Sequence, residues 1–434
     1  MKMTFSYLIL FAIVARASPA KYETSSCFQF PKIKFIGIPS SQDNSNAPKS
    51  RVERGPEEVE ILRRSIETHC KIAPKSLENE NSREILCWEP YIEESYEVAD
   101  RIFQEVLRIS RDRYHSEGNL STLVLSFPSM TRQSDLEKLS SVLQSDKCKQ
   151  ILGLDGASAE LYPLSPAPCL HLKFAQVSSV EETKCETNEN VPEMVREDTV
   201  NWLNNFLGRY RLCPYTSSVT RAAVGLSSVG VPVGGVRVRV SSVVEDEAKN
   251  RNKISSSLKA AELVSAFWSE TAYLLQSSQE EWATSLVVFP EYDADFDAFI
   301  DICDNIVEPT VVSTQSTDFI GRAWFHPLYD ADTVGHSTVI AGHAVPHKMV
   351  KEFMLSLNKA SNSGEKQNIL EYEELVKANN RVRQTPHATI NILRRSQLTK
   401  AAEYEKGLGE KRPKPNSIYV RNAARLSEVI NGAK

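Results

Sequence analysis

The sequence lacks most of the signatures that identify a chemistry directly. None of its eight cysteines (Cys27, Cys70, Cys87, Cys148, Cys169, Cys185, Cys213 and Cys303) forms a Cys-x-x-Cys pair. That leaves out a zinc knuckle and a thioredoxin-type motif. Eight cysteines in 434 residues are also too few for a disulfide scaffold. Positive charge is not in surplus: 51 Lys and Arg stand against 56 Asp and Glu, a formal net charge of −5. Nothing in that balance announces nucleic acid as a partner. Beyond the N-terminus no stretch approaches the ~18 consecutive apolar residues of a membrane helix. The glycine motifs that cradle phosphates and dinucleotides are missing, as are the His-Glu-x-x-His zinc helix and the Gly-x-Ser-x-Gly elbow. No cofactor is implied.

What is present begins at the N-terminus. Lys2 precedes an apolar run, Tyr7 to Ala15, and small residues follow at Ala17, Ser18 and Ala20. The run is too short to span a bilayer and has the flanks of a secretory leader. The pattern predicts a signal peptide over 1–20, with a buried N-terminal strand or helix as the plain alternative. A leader implies a lumenal or secreted protein with no stable membrane insertion after its removal. It also gives meaning to the glycosylation sequon Asn119-Leu120-Ser121.

At roughly 100–200 residues per domain, the chain allows two or three domains. Residues 21–55 read as an irregular segment. A first lobe follows over 56–175. Pro56 opens a helix carrying Val59, Leu62, Ile66 and Cys70, and Ile85–Trp88 reads as a strand. A long helix over 93–113, a strand over 122–127, a helix over 133–144 and strands near 157–162 and 169–174 complete it. Residues 176–195, rich in Ser, Glu, Thr and Asn, read as a linker. The second lobe, 196–434, predicts a helix over 199–210 and a half-buried strand at Val236–Val240. A helix over 255–276, a strand over 284–289 and a helix over 294–306 follow. Strands at 319–325 and 389–393 and helices at 396–406 and 417–430 complete it.

The two halves repeat an order. Thr122…Phe127-Pro128 matches Thr284…Phe289-Pro290, Tyr162-Pro163 matches His326-Pro327, and Ser165-Pro166 matches Thr385-Pro386. The change of offset locates an insertion at about 328–383. The expected fold is α/β: two tandem lobes of related β-α-β-α-β-loop-β topology, each a mixed sheet covered by helices. Strands alternating with helices imply parallel crossover units. The plain alternative is that strand-Pro-helix arrangements recur by chance.

The second half also carries Leu212-Cys213-Pro214-Tyr215, Phe289-Pro290, Phe325-His326-Pro327, Thr385-Pro386-His387-Ala388 with its strand, and Val420-Arg421-Asn422. With these motifs, residues 195–430 resemble the domain-of-unknown-function 1415 family of bacteria and photosynthetic eukaryotes. The first half, with Ser165-Pro166-Ala167-Pro168 but no Cys-Pro or His-Pro pair, resembles a diverged partial copy. This sequence departs from the family pattern at Phe289, His387 and Asn391, where the family has His, Pro and His. The resemblance implies membership and no reaction. It also implies a second destination, a plastid reached through a leader.

Four groups of residues could carry chemistry. Cys213 before Pro214 is a nucleophile if a base or cation lowers its pKa, with Arg209 and Arg211 nearby in sequence, or else a buried thiol in a turn. His326, with Pro327, sits at the carboxyl end of a strand, where open sheets bind ligands, or it orders the turn that follows. Arg394, with Arg421 and Asn422, suits an anionic small molecule. The plain alternative is a solvated strand end paired to Glu403 or Glu405. His336, His343 and His347 do not make a metal site with His326, because Pro346 breaks the helix that would align them. Asp293, Asp295 and Asp297 lack the Gly and Glu of a calcium loop and read as a helix cap. The sequence therefore supports a binding or assembly module first. The alternative is a small-molecule enzyme using Cys213, His326 and Arg394.

Overall fold

The structure is a computed structural model. It describes residues 34–35, 83–88, 92, 94–115, 121–127, 133–154, 158–164, 167–174, 183–184, 191–209, 213, 215–241, 253–329, 381 and 383–411. The expected leader, the helix after Pro56, most of the insertion and the helix over 417–430 lie outside these residues.

In chain order the elements are β1 (Lys34–Phe35), β2 (Arg83–Trp88), α1 (Ser95–His115), β3 (Ser121–Ser126), α2 (Gln133–Gln144) and α3 (Asp146–Ile151). Next come β4 (Ser158–Leu164), β5 (Ala167–Phe174), β6 (Thr183–Lys184), α4 (Val191–Asn201), β7 (Gly235–Val240) and β8 (Lys253–Ile254). The rest are α5 (Ser256–Gln276), β9 (Trp282–Val288), α6 (Phe296–Ile302), α7 (Glu308–Ser313), β10 (Ile320–Phe325), β11 (Thr389–Arg394) and α8 (Arg395–Lys411).

Among the described residues the strands form a five-stranded sheet ordered β1-β2-β3-β5-β4, a four-stranded sheet ordered β10-β11-β9-β7, and the pair β6-β8. The chain is thus a mixed α/β protein. The four-stranded sheet is mixed, as expected, and its helical connections join parallel strands. In the four-stranded sheet β7 and β9 are parallel, whereas β11 runs antiparallel to both β9 and β10. The helical connection from β9 to β10 does cross over, but it skips one strand position. β11 then fills that gap from the opposite direction, which alternation along the sequence does not reveal.

The four-stranded sheet is covered on both faces. On one face Val287, Ile320, Trp324, Ile390 and Ile392 join a core with Leu263, Phe267 and Trp268 of α5. The same core includes Val98, Ile102, Phe103 and Val106 of α1, and α1 packs on α5. On the other face Val236, Leu286, Ala323 and Phe325 meet Trp202, Leu203, Leu226 and Ala401. α5 is apolar nearly all round because it lies between the sheet and α1. Its N-terminus is capped by Ser255, whose hydroxyl accepts from the Leu258 N–H at 3.1 Å.

One irregularity sets the faces. Gly235 pairs with Trp282 but Val236 pairs with Thr284, so Ala283 is an extra residue in β9, a β-bulge. Past it, Arg237 and Arg239 face α5 while Val236 and Val238 face the opposite core. Arg237 donates from Nε to Oε1 of the fully buried Glu270 at 2.8 Å, and its guanidinium stacks 4.0 Å from the Tyr273 ring.

The helix expected over 199–210 begins earlier. α4 opens at Val191, within the stretch expected as a linker, and passes at Trp202 into a π-helical turn ending at Gly208. Buried Val195 and Thr199 seat one side of α4, so polar composition alone did not keep these residues irregular.

Candidate functional site

The carboxyl ends of β9 and β10 and the start of β11 meet at one end of the four-stranded sheet, and the Pro290, Pro327 and Pro386 turns gather there. His326, immediately after β10, is completely buried. The Leu328 N–H can only donate, and it does so to Nδ1 at 3.0 Å. The proton of the neutral ring therefore sits on Nε2, which donates to the Tyr292 carbonyl at 2.8 Å. Phe296 and Phe299 flank the ring, with centroids at 4.9 and 5.5 Å. Burial holds the imidazole below the ordinary histidine range, against the Tyr292 hydrogen bond and the charges of Asp293 and Asp295. The His326 N–H donates to the Arg383 carbonyl at 3.1 Å, and the Tyr329 N–H to the His326 carbonyl at 3.0 Å. His326 is thus wired into the turn that contains Pro327.

Both ring nitrogens are occupied, which leaves neither for the Cys213 thiol. Cys213 is buried and lies beyond the helical turn that ends at Gly208. Burial pushes its thiol up, partly offset by hydrogen bonds from the Tyr215 and Thr216 backbone and the Thr216 hydroxyl. Two other thiols are also sealed in the core. Cys148 is pushed up to about 12 by burial, and burial raises Cys303 well above the ordinary value.

Arg394 ends β11 opposite Ile320, whereas Phe325, just before His326, pairs with Thr389. At about 3.3 Å per residue, the six residues from Ile320 to His326 separate the two groups by roughly 20 Å. His326 and Arg394 are therefore not gathered at one end of the sheet. Arg394 is half-buried against the end of α5. Its guanidinium donates to the Leu274, Ser277 and Ser278 carbonyls at 2.6, 2.8 and 3.3 Å, and its Nε donates to the Trp282 carbonyl at 3.2 Å. It satisfies the carbonyls left over at the end of α5 and ties that end to β9. Arg421 and Asn422 lie outside the described residues, as do His336, His343 and His347.

The sequence reading missed a histidine between two carboxylates. Asp295 caps α6 as expected, accepting from the Ala298 N–H at 3.0 Å. Asp293 has a different role. Its Oδ1 accepts from the Ala388 N–H at 2.8 Å, and its Oδ2 lies 2.6 Å from Nδ1 of His387. The other ring nitrogen, Nε2, is buried without a hydrogen bond and faces Oδ2 of Asp198 on α4 at 3.7 Å, an ion-pair distance. Burial lowers the His387 pKa, but Asp293, by hydrogen bond and charge, and Asp198 outweigh it and hold the imidazole above the ordinary range. In sequence His387 stood out only as a departure from a motif, and Asp293 only as one of three spaced acids.

A second buried polar cluster joins the sheet to both long helices. Glu270 accepts from Ser285 as well as Arg237, and Arg239 lies 3.7 Å from its other oxygen. Asp100 on α1 accepts from Ser269 on α5 at 2.7 Å, and burial raises its carboxyl. Among the described residues no three His, Cys, Asp or Glu side chains are grouped to hold a metal ion. No described helix is long and apolar enough to cross a membrane.

No curated protein and no solved structure matches the chain. Residues 194–339, from α4 through Phe325-His326-Pro327, match the family described as Protein of unknown function (DUF1415), the family those motifs resemble in sequence.

Proposed function

We propose that the chain is a binding or assembly module of two related lobes, in which the motif residues hold turns and helix ends. The observation that carries this reading is the saturation of His326: both nitrogens are spent within the turn, at the far end of the sheet from Arg394. A thiol–imidazole mechanism needs a free base beside a thiol of lowered pKa, and the two bonds of His326 and the raised, buried Cys213 thiol speak against one.

Three features support related lobes. α1 and α5 are both 21 residues long, and each leads into a strand, β3 and β9. The strand orders β2-β3-β5-β4 and β7-β9-β11-β10 each contain one parallel pair followed by two antiparallel pairs. The two long helices pack on each other, as do α2 and α7, which suits a pseudo-two-fold arrangement. The leader reading remains part of the proposal, with delivery to the secretory lumen. N-terminal sequencing of protein from its native cells tests it, and a chain still beginning at Met1 would sink it.

The discriminating experiment is site-resolved alkylation of the native full chain with iodoacetamide, read by mass spectrometry. In this reading Cys213 labels orders of magnitude more slowly than in urea. Fast native labelling of Cys213, with a midpoint below an ordinary thiol, would overturn it in favour of a small-molecule enzyme.

A further inference from the structure

We propose that His387 is a proton-operated clasp, an imidazole that ties α4 to the end of the four-stranded sheet when Nε2 carries a proton and lets go when it does not. The inference stands apart from the binding-module reading, because it concerns how one helix is held.

The argument starts from which atom can change. Asp293 is fixed by the Ala388 N–H at 2.8 Å, so its carboxylate cannot turn away. At 2.6 Å from that carboxylate, Nδ1 keeps its proton whatever the charge of the ring. Titration is thereby confined to Nε2, which is buried, has no hydrogen bond and faces Asp198 at 3.7 Å. With the proton present, Nε2–H points a positive ring at a carboxylate. Without it, a lone pair faces that carboxylate and the attraction becomes a repulsion.

The charged and titratable groups on the surrounding elements agree in direction. Asp198 comes from α4, and Asp293 comes from the turn after β9, with Asp295 just beyond it. His326, after β10, is held neutral by burial and adds no competing positive charge. On the β11 side, Thr385 and Thr389 donate to the His387 carbonyl and carry no charge. The clasp links three parts of the chain that meet nowhere in sequence.

Its sign follows from the raised pKa. The stabilisation is fully present below the unfolded histidine value of about 6.5 and is lost as pH rises through the folded value. α4 packs on the edge strand β7, so its release loosens the cover of that edge.

The test uses the full chain and two readouts. Histidine ring signals followed by NMR report the His387 midpoint, and hydrogen exchange reports protection of α4 amides after correction for intrinsic rates. The wild type should titrate above the ordinary histidine value, and α4 protection should fall several-fold between about pH 6 and pH 9. In Asp198→Asn, a substitution at a half-exposed side chain, the midpoint should drop and most of that change should vanish. His387→Gln should leave α4 at its high-pH protection throughout. Failure of Asp198→Asn to move the midpoint, or α4 protection that ignores pH in the wild type, would overturn the clasp. Thiol labelling of Cys213 would be unaffected by either result.

Discussion

His326 donates from Nε2 to the Tyr292 carbonyl at 2.8 Å, so a side chain leaving β10 closes the turn leaving β9. The same ring accepts from Leu328 and is wedged against Phe296 and Phe299. Replacing it with Ala strands a buried donor and a buried acceptor and opens a cavity. The expected loss is about 3 kcal/mol, read by chemical denaturation. His326→Asn, which can restore one of the two bonds, should recover part of it. An unchanged midpoint for His326→Ala would show that the turn does not depend on the ring.

Arg394 should matter through α5. Arg394→Met keeps much of the stem but removes the donors that serve Leu274, Ser277, Ser278 and Trp282. A loss of about 2 kcal/mol is expected, with faster hydrogen exchange in the last turn of α5. Lys should recover only part of the loss, because one nitrogen, Nη2, serves Leu274, Ser277 and Ser278, but the Trp282 carbonyl that Nε reaches would go unserved.

Two glycines should differ. A Cβ on Gly208 would lie 2.3 Å from the Ser217 carbonyl oxygen, a backbone atom with little room to retreat. A Cβ on Gly321 would lie 2.2 Å from Leu398 Cδ1, the end of a flexible side chain. Gly208→Ala should cost about 1–3 kcal/mol and Gly321→Ala clearly less, a ranking that thermal melts can check.

Stability should peak between two histidine-driven limbs. His326 is held below its ordinary value, so acidification charges the unfolded chain first and stability falls below about pH 6.5. His387 is held above its ordinary value, so its contribution is lost on the alkaline side. His326→Asn should flatten the acid limb and His387→Gln the alkaline one, in denaturation midpoints measured across pH. Swapped effects would mean that the two imidazoles are shifted in the opposite directions.

The parts of the fold legible in sequence are those governed by local pattern. α2 falls on the expected 133–144, and α1, α5, β3, β7 and β10 lie close to their apolar periodicities. Pairing direction was not legible, because β11 is inserted between β9 and β10 by long-range packing. The same holds for the site. His326 and Arg394 were visible as polar residues at strand ends, but their partners are backbone carbonyls and an N–H, which leave no trace in side-chain spacing. His387, Asp293 and Asp198 come from three separated stretches, and only folding makes them neighbours.

The extra residue Ala283 has a consequence for how this chain can vary. Strand faces have a parity, and the bulge resets it between Trp282 and Thr284. Losing Ala283 alone would leave Gly235 paired with Trp282 and Val236 with Thr284 in a regular ladder, and Trp282 would stay on the Arg237 side, where the guanidinium is 6.0 Å away. Gaining a second extra residue would instead turn Trp282 to the other face. The start of β9 should therefore tolerate the loss of its extra residue better than the gain of another.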